Sequence, residues 1–281
     1  KGEEYVYTER DLDTNCPSNG PDAYTAIVID QSEGFPKNQV QQIRAMFGAW
    51  LAGRTEDILE SSLDQDPSQF NKSSDYKRYP RNFKNDLKIL KKLKVDYVLV
   101  PSIKDIYKKK NQMKIKLKKK DKVLCSKYRP GHFEGVLGVI SIFLKNIKAK
   151  FMFLGNKDFQ QVFIIRKYLE KKFKTKIINC KTIRFKNSFP YSSRNNFLSK
   201  KNFNNGILIS DILKKFHNQI INDFSRVKEI KNIINKISKK CSRIEYLEIR
   251  NKNNLGKNIN KKNFKIFIAY YFGNVRLIDN F

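Results

Sequence analysis

The run Phe151-Met-Phe-Leu-Gly-Asn-Lys-Asp-Phe-Gln-Gln161 constrains this chain more than any other stretch. Four apolar residues lead into Gly155, Lys157 and Asp158 follow, and Phe159, Val162, Phe163, Ile165 and Leu169 then recur at helical spacing. A short buried strand that stops at a glycine and opens straight into a helix is the unit of an α/β sheet. The first N–H groups of such a helix are unpaired and partially positive, so that sheet edge attracts anions. Strand–glycine–helix joins are common, and the pattern alone names no ligand. A second polar cluster, Tyr191-Ser-Ser-Arg-Asn195, follows about one strand and one loop later. A lysine, an arginine and two hydroxyls converging on one edge suit a nucleotide triphosphate.

The 281 residues, 40% of them hydrophobic, allow one large or two ordinary domains with a substantial core. No run of eighteen apolar residues occurs and the first residues are polar, so neither a membrane span nor a secretory signal is expected. Cys16, Cys125, Cys180 and Cys241 lie far apart without a CxxC pair. They read as reduced thiols of a cytoplasmic protein, not as a metal site or a disulfide framework.

The net charge of +31 raises nucleic acid as a partner. Its distribution argues against that reading. Residues 1–64 carry 12 acidic and 5 basic side chains, whereas 65–281 carry 15 and 53. The excess is mostly lysine, spread over every segment beside abundant Asn, Ile and Phe, all encoded by AT-rich codons; compositional drift accounts for it. The lysines of Lys114-Ile-Lys-Leu-Lys118 alternate at period two and predict a strand with one solvated face, without the interleaved aromatics that stack bases. The switch near residue 65 marks a junction between segments of different character.

Taken in order, turn-formers fill 1–22, Tyr24 to Ile29 predicts a short strand, and Val40, Ile43, Phe47, Trp50 and Leu51 predict a helix. A basic amphipathic helix (Phe83, Leu87, Leu90, Leu93) precedes a strand from Val95 to Val100. Arg129-Pro-Gly-His-Phe133 opens a strongly apolar helix containing Val136, Leu137, Ile140, Phe143 and Leu144. His132 reads as a cap at that helix entrance and His217, beside Phe216 and Ile220, as packing. Beyond the strand Lys176–Cys180, helices are predicted at about 207–222 and 224–239 and strands near 243–249, 264–272 and 275–278. Helices followed by consecutive strands point to a smaller α+β domain after the α/β one.

Six short pieces then stand in one order: Pro67-Ser-Gln-Phe70, Tyr79-Pro-Arg81, Arg129-Pro-Gly-His-Phe133, Gly155-Asn-Lys-Asp-Phe-Gln-Gln161, Ser192-Ser-Arg-Asn195 and Gly273-Asn-Val-Arg-Leu-Ile-Asp-Asn280. Together they resemble the pantothenate synthetase (pantoate–β-alanine ligase) family over about residues 66–281. The resemblance implies a Rossmann-like, nucleotidyltransferase-type parallel sheet domain over 1–182, with 1–65 atypical, and a smaller α+β lid domain over 183–281. It implies ATP-dependent condensation of pantoate with β-alanine through a pantoyl adenylate, releasing pyrophosphate and AMP, in a cytoplasmic homodimer. ATP enters as a substrate with Mg²⁺, and no prosthetic group or protein-held metal is expected.

Carried over by position, Gly155, Asn156, Lys157, Asp158, Ile183, Tyr191, Ser192, Ser193 and Arg194 bind ATP. Lys157, Ser192, Ser193 and Arg194 carry the catalytic charge, Asp158 faces the ribose and Ile183 the adenine. Gln69, Gln161, Arg129 and His132 hold pantoate and β-alanine. Two departures stand out. The family's Met-Gly-x-Leu-His-x-Gly-His loop after the first strand has no counterpart, because no histidine precedes His132; Asp66 replaces an asparagine before the proline. The resemblance therefore implies either a ligase with impaired turnover or an inactive relative that keeps the nucleotide pocket. A basic nucleic-acid binder is the remaining alternative, distinguished by steep salt dependence.

Overall fold

The computed structural model describes residues 25–28, 115–147 and 151–281. The chain divides into two compact units. Among the described residues, the first contains 131–156 and 161–181 with a short N-terminal strand. The second gathers Thr182–Phe281 with two segments from earlier in the chain, Leu117–Pro130 and Lys157–Gln160.

In the first unit, β2 (Phe151–Gly155) lies parallel to β3 (Lys176–Cys180), which is the expected α/β arrangement. β1 (Thr25–Val28) falls where a strand is predicted but pairs antiparallel to β2, so this three-stranded sheet is mixed. Helix α2 (His132–Ile147) buries Phe133, Val136, Leu137, Ile140, Phe143 and Leu144, the stripe that its 3.6-residue period predicts. The helix after β2 runs as α3 (Phe159–Ile165), a π-helical turn (Arg166–Glu170) and α4 (Lys171–Phe173). It ends at Lys174 in the left-handed region (φ 54°). Its side chains finish the backbone of β3. Ile177 N–H donates to Glu170 Oε1 at 2.7 Å, and Arg166 Nη2 donates to the Ile177 carbonyl at 2.9 Å.

The second unit is built on an antiparallel sheet, β4 (Arg243–Asn251), β5 (Phe264–Phe272) and β6 (Val275–Asn280), with β5 in the centre. Alternate residues of a strand face opposite sides, and here both sides are covered. Phe264, Ile266, Ile268, Tyr270 and Phe272 join the core made with α5 (Lys200–Asn222) and α6 (Ile230–Ser238). Phe267 instead meets Phe159 edge-on at 5.6 Å. On that second side Tyr246, opposite Ala269 in the register, stacks on Tyr128 at 5.6 Å. The two segments borrowed from earlier in the chain thus pack against the sheet face opposite the helices.

Helix α5 starts at Lys200, seven residues upstream of the predicted start, and is capped by Ser199, whose side chain accepts from Asn202 N–H. The polar stretch Lys200–Asn205 conceals this from apolar periodicity. Asp223 caps the next segment, which opens as a 3₁₀ turn (Phe224–Glu229) before α6. His217 packs its ring 5.2 Å from Phe264, as its place beside Phe216 predicts, and burial pushes its pKa below the ordinary value. Residues 115–118 are irregular, not a strand, although Leu117 is buried between exposed lysines as the alternation anticipates. The predicted helices at 40–51 and 83–93 and the strand at 95–100 lie outside the described residues. Among the described residues no helix is long and apolar enough to cross a membrane.

Gly206 sits on the buried face of α5, where an added Cβ would lie 2.7 Å from Phe189 Cζ. Alanine is the better helix former by about 1 kcal/mol, yet the Phe189 ring is 1% exposed and has no room to withdraw. Overpacking costs roughly 1–3 kcal/mol. Gly206→Ala is therefore expected to lower the denaturant midpoint; an unchanged or raised midpoint would show that the ring yields freely.

Candidate functional site

Three backbone pieces, all but Asn156 within the second unit, carry most of the predicted ATP-contacting residues. The first is the 3₁₀ turn Asn156–Asp158 between β2 and α3, formed where the apolar strand meets a polar triplet. It holds Lys157, a residue only 6% exposed. Among the described residues no carboxylate lies within ion-pairing distance of its ammonium. Removing an ammonium from water costs several kcal/mol unless an anion answers it, so the position favours an anionic ligand.

The second piece is the tight loop 183–191. Tyr191 N–H donates to the Ile183 carbonyl at 3.1 Å, Phe185 N–H to Phe189 O at 2.8 Å, and Arg184 bridges Pro190. Phe185 stacks on Tyr191 at 3.7 Å between ring centroids. The third piece is the 3₁₀ turn Ser193–Phe197, capped by buried Ser192, whose Oγ accepts from Arg194 N–H at 3.3 Å. Local chemistry explains the turn. Serine at the N-cap takes up an orphan donor, and Asn195 Nδ2 donates to the Pro190 carbonyl at 3.0 Å, tying the turn to the loop before it.

The second unit thus contains Arg129, Lys157, Asp158, Ile183, Tyr191, Ser192, Ser193 and Arg194. Arg129 closes the helical turn α1 (Cys125–Tyr128), its N–H donating to Cys125 O at 2.8 Å. Gly155, Asn156, His132 and Gln161 belong to the first unit. Gly155 ends β2 opposite Cys180 and is buried. His132 opens α2 just after Gly131, whose φ of 83° is one that glycine adopts without strain. Gln69 lies outside the described residues. Among those residues no group of three His, Cys, Asp or Glu side chains could hold a metal ion.

Several polar residues beside these pieces escape sequence reasoning. Gln160 and Asn195, 6% and 8% exposed, each have an amide oxygen with no donor among the described residues. Buried polar atoms are nearly always paired in native proteins, which marks both oxygens as places for a donor from outside. Gln160 Nε2 donates to Val123 O at 2.6 Å, fixing which way the amide points. On the same sheet side Arg276 pairs with Glu245 at 2.5 Å and donates to Cys125 Sγ at 3.3 Å, and Cys125 lies 3.0 Å from Tyr246 Oη. Burial would lower the Arg276 pKa, but the Cys125 sulfur and Glu245 carboxylate outweigh it and raise the value; burial raises that of Tyr246.

A mixed α/β sheet unit, joined in one chain to a smaller antiparallel-sheet unit, is an α/β architecture of the nucleotidyltransferase type. The family model described as pantoate–β-alanine ligase matches residues 52–281. Pantothenate synthetase of Francisella tularensis subsp. novicida is 37% identical over 227 residues, 80% of this chain and 79% of the relative. A crystal structure of pantoate–β-alanine ligase from Francisella tularensis, complexed with beta-gamma ATP and β-alanine, is 38% identical with a TM-score of 0.63, covering 76% of this chain and 75% of that one. Pantothenate synthetase from Thermus thermophilus shares the fold at 20% identity, with a TM-score of 0.65 and 98% of both chains covered. The chain belongs to the pantoate–β-alanine ligase family. The match begins upstream of Asp66, so the family segment extends into the acidic N-terminal region.

Lys265 on β5 lies over the Phe159 ring at 5.1 Å, and burial lowers its pKa to about 8, partly offset by Asp279. The unfolded chain therefore holds this proton more tightly than the folded one between about pH 8 and pH 10.5, and stability gains from rising pH across that window. Lys265→Met keeps the stem on the ring and removes the charge. Urea midpoints from pH 7 to 10 should rise less steeply for the variant; parallel curves would refute the burial argument.

Proposed function

We propose that this chain condenses pantoate with β-alanine, using ATP and releasing pyrophosphate and AMP, at a site built from the three pieces described above. The observation that carries the reading is Lys157, buried at 6% exposure inside Gly155-Asn-Lys-Asp158 of a chain that belongs to this family. The Francisella relative solved with beta-gamma ATP and β-alanine supports the same substrates.

In the first step a pantoate carboxylate oxygen bonds to the α-phosphorus and pyrophosphate leaves with the bridging oxygen. Negative charge accumulates on phosphate oxygens, and Lys157 and Arg194, with the hydroxyls of Ser192 and Ser193, supply preorganised positive charge and donors. Asp158 binds the ribose, Tyr191 joins the phosphate clamp and Ile183 contacts the adenine, while Gly155 and Asn156 bring backbone close to the nucleotide. Adenylation converts an unreactive carboxylate into an acyl group with AMP as leaving group. In the second step the neutral amine of β-alanine attacks that carbonyl, the amide forms, the amine proton departs and AMP leaves. Gln69 and Gln161 orient pantoate; Arg129 and His132 answer the carboxylates of the two acids. Mg²⁺ enters with ATP, held mainly by its phosphates. Residues 183–281 serve as the lid, and the enzyme works as a cytoplasmic homodimer.

The resemblance bears on the rate as well. The 281 residues contain no histidine before His132 and so do not themselves supply the phosphate donors of the family's histidine loop, each of which contributes about 10²–10³ in rate. AMP release dependent on both pantoate and β-alanine is expected, at least about 10²-fold slower than in the Francisella relative. Grafting the histidine loop into 30–40 should raise it. Turnover equal to the relative's would refute the diagnosis, and AMP release independent of pantoate would refute the function. Lys157→Met should abolish the residual turnover.

A further inference from the structure

The last three residues of the chain are bonded to two of the three pieces that bear the site. Neighbouring residues of β6 point to opposite sheet faces. Asp279 stands opposite Ile268, on the helix-covered side, and Asn280 stands opposite Phe267, on the side of Phe159. Asn280 Nδ2 donates to the Lys157 carbonyl at 2.8 Å. Asp279 takes both guanidinium nitrogens of Arg184, at 2.9 and 2.7 Å. Arg184 donates further to the carbonyls of Ser188, at 2.8 Å, and Asn280, at 3.0 Å, and lies 4.5 Å over the Phe281 ring. Asn280 N–H donates to Asp279 Oδ1 at 2.7 Å, locking the carboxylate that holds Arg184. Phe281 exchanges both backbone hydrogen bonds with Ile266, so the strand end is itself anchored.

We infer that Asp279 and Asn280 are positioning residues for the nucleotide: one strand end fixes the Lys157 turn from one face and the Ile183–Tyr191 loop from the other. A bidentate guanidinium–carboxylate pair sets orientation as well as distance. Asp279 is 4% exposed and Asn280 5%, so water does not compete for either contact. Neither side chain needs to touch the nucleotide. Lys157 and Ile183 lie 26 residues apart in sequence, and the clamp gives both backbone pieces one rigid reference. Shape, not charge, is what it supplies, because the carboxylate is already neutralised by Arg184.

The inference rests on the assignment of Lys157 and Ile183 to the nucleotide, so the test measures binding before turnover. Calorimetric titration of the full chain with a non-hydrolysable ATP analogue is compared for wild type, Asn280→Ala and Asp279→Asn. Loss of one buried hydrogen bond that positions a binding group is expected to weaken nucleotide binding about tenfold in Asn280→Ala. Asp279→Asn is isosteric but replaces one of the two acceptors of Arg184 by an NH2 donor, so the bidentate clamp is broken and binding should weaken as well, with near-UV circular dichroism unchanged. In turnover assays the KM for ATP should rise while the KM for β-alanine stays within about twofold. Wild type that binds no nucleotide would overturn the site assignment itself. Wild type that binds while Asp279→Asn binds equally well would overturn the clamp alone, as would equal rises in the KM of every substrate. Should Asn280→Ala fail to fold, the Asp279→Asn titration decides.

Discussion

Strand β5 is buried from both sides, and the second unit depends on that. A three-stranded sheet with one wet face would bury only half of Phe264–Phe272. Here the even-numbered residues enter the helix-covered core while Phe267 and Ala269 are covered by the segments that precede the unit in sequence. At roughly 1.5–3 kcal/mol for each large apolar side chain removed from water, the second layer contributes as much as several ordinary hydrogen bonds. That layer consists of the backbone carrying Arg129, Lys157 and Asp158. Covering the sheet and placing the cations are therefore one event.

Polar contacts on the same face make that placement specific without making it stronger. The Arg276–Glu245 pair has side chains only 14% and 8% exposed, and a desolvated pair of this kind returns little net stability. Its geometry, shared with Cys125 and Tyr246, instead selects one seating of the helical turn Cys125–Tyr128 on the sheet. The overall charge of +31 contributes nothing to this selection. What matters is a few cations fixed by neutral or paired neighbours, while the lysines scattered over the exposed surface interact mainly with water and salt.

Elements with strong periodicity were legible in the sequence. The β2–Gly155–α3 join, β3 at Lys176–Cys180 and the three C-terminal strands all follow from apolar spacing. Boundaries set by single side chains were not. Ser199 starts α5 through one hydrogen bond within polar sequence, and the alternation at 115–118 expresses burial of Leu117 without a strand partner. The resemblance names the motif residues of the proposed site, but the grouping of Leu117–Pro130 and Lys157–Gln160 with the C-terminal sheet was not legible. That grouping depends on Phe159 meeting Phe267 and Tyr128 meeting Tyr246, contacts between residues more than 100 positions apart. No local period encodes such pairs. Asp279 and Asn280 are visible in sequence only as the end of a motif; their partners appear in three dimensions alone.

The composition break and the family boundary do not coincide, and the difference bears on the chemistry. Glu56, Asp57, Glu60 and Asp64 lie within the matched range of residues 52–281 yet belong to the acidic stretch. Acidity before residue 65 is therefore not in itself a mark of foreign sequence. What separates the first 51 residues is that the family model does not reach them. The described cations of the second unit owe their positions to bonds made within that unit: Lys157 to Asn280, Arg184 to Asp279, and the Arg194 turn to Ser192. None of these bonds involves a residue before 52. Contacts that hold the proposed binding residues in one unit, and donors that the family resemblance expects from another segment, are under separate physical control, so loss of one leaves the geometry of the other intact.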